Sequence, residues 1–217
     1  MIDWTEIDTV LLDMDGTLLD LEFDNVLWNQ RLPERFAIER AMTTEAARDH
    51  LFAHMRDTRA RLEFYCLDYW AKFTALDIVG LHRELKHLIR YRPSAAEFVT
   101  GLHRSGKRAV LVTNAHRDSV AIKDGVTGLL ATLHRNVSSH DFAVPKEDPA
   151  FWHQLGLIEP FDPQRTLLID DNADVLDSAA SHGIRHLRTI AQPDSGRPRR
   201  DALRHIGRWG TSTRIMP

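Results

Sequence analysis

Two aspartates one residue apart, Asp13 and Asp15, stand directly after the short apolar run of residues 8–12 and are followed by Gly16 and Thr17. A charge at the end of a buried hydrophobic strand is costly unless it is paired or bound to a cation. A second apolar run, Arg108-Ala109-Val110-Leu111-Val112, ends at Thr113-Asn114, and a third, Thr166-Leu167-Leu168-Ile169, ends at Asp170-Asp171-Asn172. Clustered carboxylates around a hard divalent cation are how a Mg²⁺ site is built. Once the ion neutralises such a pocket an anion can enter, and Lys146 and Thr113 offer a cation and a hydroxyl donor for phosphoryl oxygens. The expected chemistry is Mg²⁺-dependent work on a phosphate group. Each part alone is ordinary: a lone Asp-x-Asp is often a surface turn, and Thr-Asn after a strand is usually a helix cap. Their fixed order, each beside an apolar strand, carries the inference.

The three runs have no polar alternation, as expected for strands buried on both faces of a parallel sheet. Helical signals fill the intervals. Ser94-Ala95-Ala96-Glu97 reads as a capping box opening a helix that stops near Gly106; Asp148-Pro149 supplies an N-cap and a first-turn proline; residues 173–182 read as a helix with Gly183 as its C-cap. Weaker strands are expected at 185–190 and near Asn136-Val137-Ser138. Alternating strand and helix predicts a Rossmann-like α/β fold, a parallel sheet flanked by helices, with the polar strand ends gathered at one rim. Residues 22–92 break that rhythm, being far longer than a strand-to-helix connection needs. Apolar residues at Leu51, Phe52, Met55, Leu62, Tyr65, Tyr69 and Phe73 recur at helical spacing there, with breaks at Thr43-Thr44-Glu45 and at Gly80. The division expected is a core of 1–21 and 93–217 carrying an all-helical cap of 22–92.

With these motifs in place the chain resembles the haloacid dehalogenase-like hydrolases, whose first motif is DxDGT, here Asp13-Met14-Asp15-Gly16-Thr17. Leu111-Val112-Thr113-Asn114 is similar to the second motif, Pro145-Lys146-Glu147-Asp148 to the third and Ile169-Asp170-Asp171-Asn172 to the fourth. The runs 11–21, Tyr65-Cys66-Leu67-Asp68-Tyr69-Trp70 and 145–148 further resemble the bacterial GMP/IMP nucleotidase branch. The resemblance implies a two-step phosphoryl transfer. Asp13 would be the nucleophile forming an aspartyl-phosphate, Asp15 the general acid and then base, and Lys146 the bridge between nucleophile and phosphoryl group. Thr113 and Asn114 would bind the phosphoryl oxygens. Mg²⁺ would be held by the Asp13 carboxylate, the Asp15 carbonyl, and Asp170 with Asp171, either of which could lie one shell out. Dehalogenases of the family lack the second aspartate of the first motif, so Asp15 favours a phosphatase or phosphomutase.

Substrate choice is expected in the cap. Phe23, Trp28, Tyr65, Tyr69 and Trp70 are candidates to stack on a purine, against the plainer reading that aromatics at helical spacing build a bundle core. His116 and Arg117, just after the second motif, could meet an anionic substrate; Asp174 and Asp177 read as surface acids. The resemblance implies a purine nucleoside 5′-monophosphate, GMP or IMP, as the substrate, the alternative being a small phosphosugar or phosphoglycolate.

Composition supports this frame. The 217 residues are 43% hydrophobic and 27% charged, with 28 Lys and Arg against 31 Asp and Glu, a net charge of −3. That balance suits a globular protein and argues against nucleic-acid binding, although residues 193–217 carry six arginines. A single cysteine, Cys66, excludes an intramolecular disulfide and fits a reducing compartment, and no run reaches the ~18 apolar residues of a membrane span. A cytoplasmic enzyme is expected.

Overall fold

The computed structural model describes residues 2–199. The arginines at 200, 204, 208 and 214 lie outside the described residues. Five parallel strands form the sheet: β1 Thr9–Leu12, β2 Arg108–Thr113, β3 Arg135–Ser138, β4 Thr166–Ile169 and β5 His186–Arg188. Their order is β3-β2-β1-β4-β5, so β1 pairs with β2 on one side and β4 on the other. The chain switches direction of growth at β1, and the ligand crevice of such a sheet lies outside the carboxyl ends at that switch point. Every residue of β1 and β4 is buried, as their unbroken apolar sequences require.

Alternate side chains feed two cores. Leu11, Val110, Val112 and Leu168 pack with Phe151, Trp152, Leu155, Val175 and Leu176. These last belong to two helices, Pro149–Ile158 and Ala173–Ser181. Val10, Leu12, Leu111 and Ile169 face the other way, onto the helix Ala95–Arg104 and the residues of the helical insert. The helix at Pro149 starts as expected, with the Asp148 side chain accepting from Ala150 N. The capping box at Ser94 does not form: Ser94 is left-handed, φ 64°, and its side chain makes no cap hydrogen bond. The helix nonetheless begins at Ala95 because Ala95 N and Phe98 N find the carbonyls of Arg92 and Ser94.

Six helices make up the insert, and numbering follows the chain: α1 Glu22–Val26, α2 Leu32–Glu39, α3 Thr44–Thr58, α4 Leu62–Tyr65, α5 Leu67–Thr74 and α6 Ile78–Glu84. The core helices continue as α7 Ala95–Arg104, α8 Arg117–Thr127, α9 Pro149–Ile158 and α10 Ala173–Ser181. A π-helical turn, Leu27–Arg31, joins α1 to α2. Pro33, near the start of α2, has no N–H to continue an α ladder, and a wider turn absorbs that loss. Gly80 is not a break between helices; it lies inside α6, where its N–H donates to Asp77 Oδ1 at 2.7 Å, and the break belongs to the Asp77 N-cap. Two linkers join insert to core, held side by side by an antiparallel bridge between Leu19 and Tyr91 and by the hydrogen bonds Asp20 N to Arg90 O and Arg92 N to Leu18 O.

Leu11 is fully buried at the centre of the sheet. Leu11→Ala is expected to cost about 2–5 kcal/mol, the range for emptying such a site. The check is a lower denaturation midpoint with an unchanged denaturant slope.

Candidate active site

β1, β2 and β4 end side by side, so the polar residues that follow them converge. Asp13 N donates to Ile169 O at 3.0 Å, which sets Asp13 against Asp170. Lys146 enters this rim on the loop before α9. Its Nζ lies 2.7 Å from Asp13 Oδ1, 2.7 Å from Asp170 Oδ2 and 3.0 Å from the Val112 carbonyl. All three side chains are buried. The loop is fixed at both ends of the residue: Lys146 N donates to Asn114 Oδ1 at 2.9 Å, and Lys146 O accepts from Trp152 Nε1 at 3.0 Å.

Burial pushes the Asp13 carboxyl up to about 7, against the pull of Lys146 and with Asp170 and Asp15 adding to the rise. Asp170 moves up to about 6 for the same first reason, again opposed by Lys146. Burial alone would lower Lys146, but the carboxylates of Asp13 and Asp170 hold it above its ordinary value, so the ammonium stays charged. These shifts describe a pocket with more carboxylate than cation. Oxygens of Asp13, Asp170 and Asp171 lie within 4.8 Å of one another. An all-carboxylate donor set, with Asp13 and Asp170 buried and Asp171 half-buried, and short of positive charge, fits Mg²⁺, a hard cation that prefers oxygen. Gly16, with φ 83°, turns the chain away here, and a Cβ on it would stand 2.7 Å from the Asp171 Cγ. Only glycine leaves room for that carboxylate.

The Asp15 side chain lies apart from this carboxylate group. Its Oδ1 accepts from Lys123 Nζ at 2.7 Å, and the same ammonium reaches Asp24 Oδ1 at 2.8 Å and Oδ2 at 3.0 Å. Of the four residues named from sequence as metal ligands, Asp15 therefore brings its carboxylate to a lysine. Lys123 and Asp24 escaped the sequence reading. A signal existed: on α8 the residues Ser119, Val120 and Lys123 share the buried face, and a lysine on an apolar face needs a partner. Asp24, carried by α1, is pushed up to about 7 by burial, with Lys123 opposing and Asp15 adding.

Thr113 is buried with its Oγ1 accepting from Ala115 N at 3.0 Å, which leaves its hydroxyl hydrogen for another acceptor. Asn114 spends its side chain elsewhere: besides taking Lys146 N, it donates from Nδ2 to Glu147 Oε2 at 2.8 Å. Glu147, a further residue the sequence reading gave no task, also accepts from Asn172 Nδ2 at 3.1 Å and from the Tyr65 hydroxyl at 2.5 Å. Tyr65 is thus a tie from insert to core.

Above the rim is a cavity of about 340 Å³ whose floor holds Asp13, Asp15, Lys146 and Asp170 and whose roof holds Trp28, Asn29, Phe64 and Tyr65. Of the aromatics proposed to stack on a base, Trp28 and Tyr65 line this cavity. Phe23 and Trp70 are buried in the core, and Tyr69 packs on His54 and Trp70 and bonds to His54 Nε2 at 2.7 Å. His116 lines the cavity, while Arg117 faces away and pairs with Asp141 and Asn136. Asp174 is an exposed acid paired with Arg59, and Asp177 is exposed.

A sequence profile of the haloacid dehalogenase-like hydrolases matches residues 7–183. The chain is 40% identical over 204 residues to the GMP/IMP nucleotidase YrfG of Escherichia coli strain K12, covering 94% of this chain and 92% of that one. Its fold is similar to that of a phosphatase from Thermococcus onnurineus, with a TM-score of 0.76, 19% identity and coverage of 90% and 92%. It is also similar to L-2-haloacid dehalogenase from Xanthobacter autotrophicus, with a TM-score of 0.59, 16% identity and coverage of 85% and 78%. Among the described residues no helix is long and apolar enough to cross a membrane. A parallel sheet in this order, a helical insert after the first strand and the matched profile together place the chain among the haloacid dehalogenase-like hydrolases.

Proposed function

We propose that the protein is a Mg²⁺-dependent phosphatase that hydrolyses purine nucleoside 5′-monophosphates, GMP and IMP, through an aspartyl-phosphate on Asp13. The observation that carries the phosphatase reading is the Lys146-centred group of aspartates opening into a cavity with an aromatic roof. The purine reading is supported by the 40% identity to a GMP/IMP nucleotidase over nearly the whole chain. We place the cap at residues 22–92, a division supported by the paired linkers at Leu19 and Tyr91. The single Cys66 suits work in the reducing cytoplasm.

Asp13 attacks phosphorus, forming a bond from its carboxylate oxygen as the ester bond to the nucleoside breaks. Lys146, 2.7 Å from Asp13 Oδ1, keeps the nucleophile oriented and offsets the charge that builds on the phosphoryl oxygens. Thr113 offers its hydroxyl hydrogen to one of those oxygens. Asp13, the Asp15 carbonyl and Asp170 with Asp171 would hold Mg²⁺, which would supply the charge that lets a phosphate dianion approach so many carboxylates. Asp15 gives a proton to the departing 5′ oxygen, then takes one from the water that attacks the aspartyl-phosphate, so Asp13 is regenerated. Lys123 divides one positive charge between Asp15 and Asp24. Burial pushes the Asp24 carboxyl up to about 7, against the pull of the Lys123 ammonium it shares with Asp15.

Trp28 and Tyr65 line the cavity where a base would sit, and Asn29 donates to Asn25 Oδ1 at 3.2 Å through one of its two amide hydrogens. The second hydrogen is available to a purine O6. AMP places an amino donor where GMP and IMP place that acceptor, and such a mismatch discriminates strongly.

Steady-state kinetics on GMP, IMP, AMP, CMP, UMP, a hexose phosphate and phosphoglycolate, each with Mg²⁺ and with EDTA, test the reading. GMP and IMP are expected to give the highest kcat/KM, with no turnover under chelation. Equal values for AMP and GMP would remove the O6 contact, and preference for phosphoglycolate or the hexose phosphate would install the alternative substrate class.

Asp13→Asn is expected to abolish phosphate release in a folded protein, because an amide cannot form the acyl-phosphate. Release at a rate near wild type, with an unchanged circular dichroism spectrum, would remove Asp13 from the nucleophile's role.

Lys123→Met leaves two carboxylates without their cation and is expected to lower both turnover and stability, the latter by about 3–5 kcal/mol. Adding Asp24→Asn removes the surplus charge and should recover most of the stability but not kcat. Recovery of kcat in the double variant would show that Lys123 serves folding alone.

A further inference from the structure

Cys66, His116 and His140 come from three distant segments and meet at the seam between cap and core. Cys66 is the extended residue between α4 and α5, His116 is the N-cap of α8, and His140 sits in a one-turn 3₁₀ segment after β3. One ligand atom from each lies within 4.8 Å of the others, and the two imidazole rings are 4.9 Å apart at an interplanar angle of 78°. His140 Nε2 is buried with no hydrogen-bond partner, which is expensive for a polar atom unless something occupies it.

We propose that these three residues bind a divalent cation of the zinc class, so that one ion fastens the cap to the core beside the cavity.

The donor set is the argument for the ion. A thiolate with two imidazoles selects Zn²⁺ or Co²⁺, whereas the carboxylates of Asp13, Asp170 and Asp171 suit Mg²⁺, so one chain carries two metal sites of opposite preference. Tetrahedral zinc with bonds of about 2.0–2.3 Å holds its ligand atoms roughly 3.5 Å apart. The present atoms, within 4.8 Å of one another, are set somewhat wider than that. The two histidines are already set in place: Ser138 Oγ donates to Ala115 O at 2.7 Å and accepts from His140 N at 3.2 Å, lacing the two loops together. His116 has a carboxylate near either nitrogen, Asp68 Oδ2 at 3.6 Å from Nε2 and Asp118 Oδ2 at 3.7 Å from Nδ1. His116 Nδ1 accepts from Asp118 N at 3.3 Å, so an ion on Nδ1 would take the place of that cap and leave the Nε2 proton near Asp68 Oδ2, the kind of outer contact that fixes a ligating histidine. Binding costs the thiol its proton, and a fourth position remains for water.

Because Cys66 is the chain's single cysteine, a thiolate-to-cobalt charge-transfer band reports this site alone. The full-length, Mg²⁺-loaded protein titrated with Co²⁺ is expected to develop that band in the near ultraviolet, saturate at one equivalent and lose the band to added Zn²⁺. Cys66→Ala should abolish the band. His140→Ala should weaken binding by more than the roughly 10–100-fold that loss of an outer contact costs. No band in the wild-type protein, or unchanged affinity in His140→Ala, overturns the site. The turnover arm rests on the phosphatase reading: Zn²⁺ at fixed Mg²⁺ should slow the wild type and leave Cys66→Ala unaffected. Equal inhibition of both, or relief by more Mg²⁺, would put the zinc on the aspartates and remove the fastening role. Failure of both proteins to turn over nucleotide without zinc counts against the phosphatase reading, while the cobalt band still decides the site.

Discussion

Lys146 holds two buried carboxylates that belong to different strands, and much of the surrounding structure exists to keep it there. An ammonium this deep is stable only with Asp13 and Asp170 at 2.7 Å, and those carboxylates in turn depend on it. The ion triad joins the ends of β1 and β4, which flank the switch point of the sheet. Asn114 at the end of β2 takes Lys146 N, and Trp152 on α9 takes its carbonyl. Side chains from three strands and a helix therefore converge on one residue whose loop has no regular structure of its own.

A second lysine repeats the device with a different purpose. Lys123 joins Asp15 of the core to Asp24 of α1, so the rim of the sheet is tied to the first turn of the helical insert. Around the two ammonium groups, burial and mutual repulsion raise Asp13, Asp24 and Asp170 together. That excess of carboxylate is what makes the rim attractive to a hard cation and, once neutralised, to a phosphate. The cap reaches the same rim again through the Tyr65 hydroxyl on Glu147, which also receives Asn114 and Asn172.

Within the cap, aromatic residues divide by position rather than by type. Phe23 and Trp70 are buried, Phe23 edge-on to His82 and Trp70 beside the stacked rings of His54, Tyr69 and Phe73, while Trp28 lines the cavity. The π turn at Leu27–Arg31 accommodates Pro33 and carries Trp28 and Asn29 toward the cavity in the same step. Two aromatics a few residues apart on one helical path thus have opposite surroundings.

The sequence by itself determined the parallel sheet, the helical insert and the acidic rim, because unbroken apolar strands such as residues 9–12 and 166–169 can be buried only between two helical layers. Asp13, Lys146, Asp170 and Asp171 were legible for the related reason that charges beside such strands demand partners. Local patterns were read less well where the backbone found other partners: Ser94 matched a capping box yet takes a left-handed conformation, and Gly80 sits inside a helix capped by Asp77. Only the tertiary structure decided that Asp15 turns to Lys123 and Asp24, that Asn114 and Glu147 brace the Lys146 loop, and which aromatics face the cavity. Each of these depends on contacts between segments dozens of residues apart, and spacing along one chain carries no information about which distant side chain will supply the missing charge or hydrogen bond.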